Sequence, residues 1–216
     1  MKREDLPVKK PRGRPRSFDR EAALDRAMDV FWRKGFEATS IHDLTEAMGI
    51  NPPSLYAAFG DKERLFLEAV EKYQAMHGGK CPYAEEPTAK AAIEKLLVYS
   101  ANEMTKSCNP RGCMMAMSAA TCASSSEEMR SALQERRAVS RERIKERIDR
   151  GMQEGDVPPS IDAAALADFY AAVISGMSLQ ARDGASRKSL LATVETAMRA
   201  WPAALPARSR EATSRK

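Results

Sequence analysis

From Ser17 to Met76 the apolar residues of this chain recur at steps of three and four, the spacing that lines them along one face of an α-helix. Ala23, Leu24, Ala27, Met28, Phe31 and Trp32 form the first stripe. Asp19 can cap that helix and Gly35 can end it. A second, shorter helix opens at Thr39-Ser40 with an acidic first turn at Asp43, and carries Ile41, Leu44, Ala47 and Met48 inward up to Gly49. Asn51-Pro52 restarts the chain as cap and first helical position, for about two turns ending at Gly60. Asp61 caps a fourth helix bearing Leu65, Phe66, Ala69, Val70 and Tyr73. His77-Gly78-Gly79, followed by Pro82 and Pro87, marks a boundary. Helical spacing then resumes over 88–107, 112–123, 127–153, 162–182 and 187–201. No strand-like alternation intervenes, so the expected fold is all-α with about nine helices.

Charge changes this picture at one end. Residues 1–16 carry seven basic and two acidic groups, a net +5 equal to that of all 216 residues, whereas residues 17–77 are net −4. A basic arm therefore precedes a slightly acidic body, and with almost nothing apolar the arm is expected to be disordered when free. Within it, Pro11-Arg12-Gly13-Arg14-Pro15, followed by Arg16, resembles the core of an AT-hook, an extended strand whose arginines suit a narrow minor groove. The segmentation is then arm 1–16, helical reader 17–77, helical domain 88–201 and loose tail 202–216. No apolar run approaches the ~20 residues of a membrane span, and no apolar leader follows the first methionine. A cytoplasmic protein without membrane contact is expected.

A helix, a turn holding Gly49 and a second short helix make a helix-turn-helix, whose second helix must be slim enough to enter the major groove. Asn51, Pro53, Ser54, Tyr56 and Ala57 can face outward while Leu55 and Phe59 pack inward. Helix starts near Ser40, Asn51 and Lys62 offer backbone N–H groups to phosphates. Together these features resemble the DNA-binding domain of the TetR/AcrR family of bacterial transcriptional repressors. The matching stretches are RGRPRSFDREAALDRAMDVFWRKGFEATSI and DLTEAMGINPPSLYAAFGDKERLFLEAV, within residues 12–73. The resemblance implies a homodimer on a palindromic double-stranded operator and a variable helical domain that takes a small-molecule effector. Carried over by position, Thr39, Ser40, Ser54, Tyr56 and Lys62 become backbone and groove contacts, and Pro53 and Ala57 can meet thymine methyls. Asn51-Pro52-Pro53 is more apolar than in many members, so no operator sequence is carried over.

The second half is less specific. Leu166, Val173 and Met177 on one helix, and Leu190, Val194 and Trp201 on the next, lie in long stripes that the resemblance assigns to the dimer interface, a four-helix bundle between protomers. Residues 108–122 read CNPRGCMMAMSAATC and concentrate three of the four cysteines. Packing around an organic-ligand pocket, a redox or electrophile sensor at Cys108, Cys113 and Cys122, and a copper site all remain open for this cluster. The expected pocket comprises Met104, Cys108, Cys113, Met117, Phe169, Tyr170 and Val173. The Arg/Glu-dense helix 127–153 buries a line at Met129, Leu133, Ile144, Ile148 and Met152 and otherwise reads as a solvated face. Only His42 and His77 are present, beside no nucleophile motif or phosphate loop, so neither catalytic residues, a resident metal nor a cofactor is expected. The best reading is a ligand-responsive repressor. An architectural DNA binder and an enzyme are the readings from other classes.

Overall fold

The computed structural model describes residues 18–78, 83, 85–122 and 125–202. Arg12, Arg14 and Arg16 of the basic arm lie outside the described residues, as do Cys81 and most of the tail. Among the described residues the regular structure is entirely helical. The order is α1 (Arg20–Lys34), α2 (Ile41–Met48), α3 (Pro52–Phe59), α4 (Lys62–Gly78), α5 (Ala89–Glu103), α6 (Met114–Thr121), α7 (Glu127–Glu154), α8 (Ala163–Arg182) and α9 (Arg187–Met198).

Short-range chemistry sets these boundaries. Asp19, Ser40, Asn51, Thr88, Ser126, Asp162 and Ser186 each accept first-turn N–H groups through the side chain, satisfying donors that a helix start leaves unpaired. At α2 the cap is reciprocal: Ser40 Oγ accepts from Asp43 N at 3.0 Å, and Asp43 accepts from Ser40 N at 2.9 Å. Lys34 at the end of α1 donates to the same carboxylate, 2.6 Å away. That bond first, then those from Ser40, hold the Asp43 pKa well below the ordinary carboxylate range. Between α2 and α3 the chain reverses at Gly49 in the left-handed region, with φ 68° and ψ 34°.

Two apolar cores result. The first joins α1–α4 around Phe31, whose ring meets Phe66 edge-on with centroids 5.0 Å apart. It does not stop at the reader: Met114, Met115 and Cys122 of the α6 region and Met129 and Leu133 of α7 belong to the same cluster. The second joins α5, the rest of α7, α8 and α9 around Ile93, Leu97, Ile148 and Tyr170.

This packing corrects part of the expected dimer stripe. Met177, Leu190, Val194 and Trp201 are buried within the chain, where α8 and α9 close against α5 and α7. Side chains already removed from solvent have no surface to present to a second copy. Leu166 and Val173 are half-buried at the margin. The apolar groups that do face outward on α8 are Phe169 and Leu179, 40% and 53% exposed. Beside them Gly176 has open space where a side chain would project, and Ala192, Thr193 and Thr196 of α9 continue the face.

Candidate DNA-reading surface and effector cavity

The reading helix α3 is held from behind and left open in front. Leu55 and Phe59 are buried against α1, α2 and α4, so the opposite side must face solvent. Asn51, Pro53, Tyr56 and Ala57 are exposed there, Tyr56 at 48%, and Ser54 is half-buried. The expected outward set is therefore brought together on one short helix. Its first turn differs from expectation. Pro52 and Pro53 have no N–H, and Ser54 N is taken by Asn51 Oδ1 at 2.9 Å. The first turn of α3 thus has no spare backbone donor, and its side chains alone are left to make contacts.

Two other expected contacts are re-assigned. Thr39 is buried, and its hydroxyl donates to Gly35 O at 2.6 Å. It closes the end of α1, leaving the exposed Ser40 as the outward member of the pair. Lys62, at the start of α4, lays its ammonium over the Phe36 ring, 4.3 Å from the centroid. Burial there lowers its pKa.

Behind the reader lies a cavity of about 560 Å³, within the size range of small-molecule sites. Of the expected pocket residues, Met104 and Cys113 line it. Cys108 is exposed on the α5–α6 loop, and Met117 is half-buried on α6 outside the lining. Phe169 and Val173 face a separate groove between α8 and α9. Tyr170 is wholly buried and donates its hydroxyl to Ala197 O at 3.4 Å; it is core. Sequence reading missed most of the wall. Trp32 of α1 and Tyr73, Gln74 and His77 of α4 form one side. Leu96, Tyr99 and Glu103 of α5 and Arg136, Val139, Arg143 and Ile144 of α7 form the other. Of the α7 residues, Ile144 stands on the line expected to be buried, and Arg136, Val139 and Arg143 lie on the face expected to be only solvated.

The cavity touches the elements that carry the reader. Trp32 Nε1–H donates to Gly112 O at 3.2 Å, and Tyr73 Oη–H donates to Cys113 Sγ at 3.3 Å. Cys113 N–H in turn donates to Ser178 Oγ at 2.8 Å, and Arg111 Nε–H to Ala181 O at 2.7 Å. Arg182 closes the circuit by donating to Trp32 O at 2.9 Å. The loop before α6 therefore ties α1 and α4 to α8. At the far end of α4, Glu63 accepts from Ser126 N at 2.7 Å, joining it to the start of α7.

His77 supplies a pH handle. It stands edge-on to Trp32, with centroids 5.7 Å apart, and its Nδ1 lies 3.7 Å from the Glu103 carboxylate. Burial lowers its pKa and outweighs the upward pull of Glu103. Unfolded, the imidazole takes its proton near pH ~6.5; folded, it does so at lower pH. Between those values the unfolded state holds more protons, so the His77 contribution is complete above about pH 6.5 and is lost as pH falls through the window. The thermal midpoint is expected to drop between about pH 7 and about pH 5.5, and His77→Gln to flatten that segment. An equal drop in both proteins would assign the effect elsewhere.

Comparison with known proteins agrees with this architecture. Residues 23–69 match the family model described as bacterial regulatory proteins, tetR family. Residues 89–197 match that of the tetracyclin repressor-like C-terminal domain. The HTH-type transcriptional repressor ComR of Escherichia coli is 38% identical over 199 residues, covering 90% of this chain and 94% of that one. The HTH-type transcriptional repressor BdcR of the same organism is 31% identical over 188 residues, covering 86% and 90%. Among solved structures, a cysteine mutant of the TetR family transcriptional regulator CifR complexed with 26bp double-strand operator DNA superposes with a TM-score of 0.83. It shares 46% identity, over 88% of this chain and 100% of that one.

Proposed function

Because this chain belongs to the tetR family of bacterial regulatory proteins, we propose that it is a transcriptional repressor released from a palindromic operator when a small molecule enters the cavity behind its helix-turn-helix. The observation that carries the reading is α4. Its first residue follows the end of α3 by three positions, and its last turns form a wall of the cavity. Lys62 and Tyr73 are eleven positions apart, about 16 Å along the axis at 1.5 Å per residue. A ligand that fits better with Tyr73 and His77 displaced pushes on the helix whose other end supports α3. Its effect on DNA affinity equals its preference between the two arrangements, and no more.

The homodimer is formed through the outward face of α8 and α9, around Phe169 and Leu179. Two copies then present their α3 helices to half-sites one helical turn apart, about 34–36 Å, or a multiple of it. Exposed Tyr56, Ala57 and Pro53 read the major groove, Ser40 reaches a phosphate, and Arg12, Arg14 and Arg16 grip the DNA beside it. The role is regulation and not catalysis, and its setting is the cytoplasm, where the DNA is.

A duplex spanning the region beside the chain's own gene, titrated across a salt series, tests this. Affinity is expected to fall linearly in log–log form, with a slope of about −0.9 per neutralised phosphate. Deleting residues 1–16 is expected to make that slope shallower and to weaken binding most on A·T-flanked sites. Binding indifferent to salt would overturn the mode, and an unchanged slope in the deletion would remove the arm from it.

A further inference from the structure

The cavity wall holds a nucleophile. Cys113 presents its sulfur there, half-buried, with the buried Tyr73 hydroxyl directed at it from 3.3 Å. Cys113 is also the residue before α6, at the end of that helix where the dipole favours negative charge, and no side chain caps it. Around it the wall is mainly apolar, with Trp32, Met104, Met115 and Ile174. The three cysteines of the Cys/Met-rich segment have separate surroundings: Cys108 is exposed and Cys122 is buried in the first core, leaving Cys113 at the cavity.

We propose that the effector is a small neutral carbon electrophile which the Cys113 thiol captures covalently, with the Tyr73 hydroxyl serving the oxygen that gains charge. This rests on the reading of the cavity as the effector site. The chemistry is an addition. With an α,β-unsaturated carbonyl, a sulfur–carbon bond forms at the β-carbon, the alkene pair passes to the carbonyl oxygen, and the thiol proton ends on the α-carbon. With an epoxide, the sulfur–carbon bond forms as a carbon–oxygen bond breaks, and the proton ends on that oxygen. Nothing leaves, and no oxidant is consumed. Burial keeps the Tyr73 phenol protonated, its pKa pushed well above the ordinary value, so it remains a donor.

The adduct has a direct route to the DNA. It occupies the space in which Tyr73 meets Cys113, and so breaks the tie between α4 and the α5–α6 loop. The neighbouring bonds, Trp32 to Gly112 and Cys113 to Ser178, bear on α1 and α8.

The test uses the full-length protein on the duplex defined by the salt titration. trans-2-Hexenal and 1,2-epoxyhexane are the reactive probes, and 1-hexanol is the inert one of similar size. Adducts are read by intact mass and peptide mapping, and DNA release by fluorescence anisotropy. At least one reactive probe is expected to add once per chain at Cys113 and to lower DNA affinity about tenfold or more. Cys113→Ser keeps an acceptor for the Tyr73 hydroxyl and should lose both responses, each read against its own DNA affinity before the probe is added; its melting curve shows that it is folded. Cys108→Ser should keep both; Tyr73→Phe should slow adduct formation about tenfold and, lacking the bond to Cys113, should also bind DNA more weakly before any probe is added. Response to the enal alone or to the epoxide alone decides between the two electrophile classes. Release without an adduct on Cys113, equal release from Cys113→Ser, or an adduct that leaves DNA binding intact would each overturn the proposal. Release by 1-hexanol as readily as by 2-hexenal would leave the cavity reading standing and remove covalent capture. Failure of the unmodified protein to bind the duplex would remove the repressor reading, and this inference with it.

Discussion

Replacing Tyr56 by alanine is expected to lower affinity for the specific duplex about ten- to a hundredfold, while the unfolding midpoint hardly moves. The ring is 48% exposed on the open side of α3, whereas Leu55 and Phe59 hold the helix to its core. A side chain that contacts a base edge or a neighbouring phosphate contributes about 1–3 kcal/mol, and each 1.4 kcal/mol is about tenfold in affinity. An exposed substitution away from caps and core changes stability by roughly 0.5 kcal/mol or less. Because α3 offers no backbone N–H at its start, its side chains carry the reading alone, which puts Tyr56 at the upper end of that range. Ser40→Ala is the contrasting variant: it removes a reciprocal cap and costs about 1 kcal/mol of stability as well as affinity. Anisotropy titration and thermal melting of both variants separate the two effects. A Tyr56→Ala protein that binds as tightly as the parent would show that α3 does not face the groove.

A large loss of stability is expected at Gly112. Its φ of 84° is a conformation that other residues adopt at a cost of about 1–2 kcal/mol. A Cβ there would also lie 2.9 Å from the Ser178 carbonyl oxygen, which belongs to the backbone of α8 and cannot swing aside. Strain and overpacking together amount to about 2–4 kcal/mol for Gly112→Ala. For a protein of this size that is a fall of roughly 5–15 °C in the midpoint. Gly155 is the control, with φ 83° and nothing within 4 Å of the added atom. Gly155→Ala should lose only the conformational part, about 1–2 kcal/mol. Equal losses at the two positions would mean that the loop does not close on α8.

What the sequence disclosed depended on the range of the interaction. The caps at Asp19, Ser40 and Asn51 and the reversal at Gly49 act within three residues of themselves, so a local reading finds them. The inward and outward sides of α3 follow from the same periodicity. Periodicity shows that Leu190 and Val194 are buried, but it does not distinguish a neighbour in the same chain from one in a second copy. Here α5 is that neighbour, and the outward residue is Phe169. Thr39 and Ser40 are adjacent and chemically alike; only the backbone path after Gly35 turns one in and the other out. The cavity was the least legible. Trp32, Tyr73, Glu103 and Arg143 come from four helices spread over more than a hundred residues, and no local pattern links them. The Cys/Met-rich stretch marked one wall by its composition, and the structure keeps only Gly112, Cys113 and Met115 of it at the cavity.

The first core, which runs without a break from α1 into α6 and the opening turns of α7, bears on how such a regulator can be rebuilt. A hybrid spliced after Gly78, with this reader joined to another protein's sensing helices, would leave Phe31, Phe66 and Tyr73 without Met114, Met115 and Met129 to cover them. Trp32 would also lose its acceptor at Gly112. The transplantable unit is therefore discontinuous: the reader must travel with residues drawn from the middle of the chain. On the proposed reading, an exchange of operator specificity between relatives would be confined to the outward side chains of α3, on which nothing in the core depends.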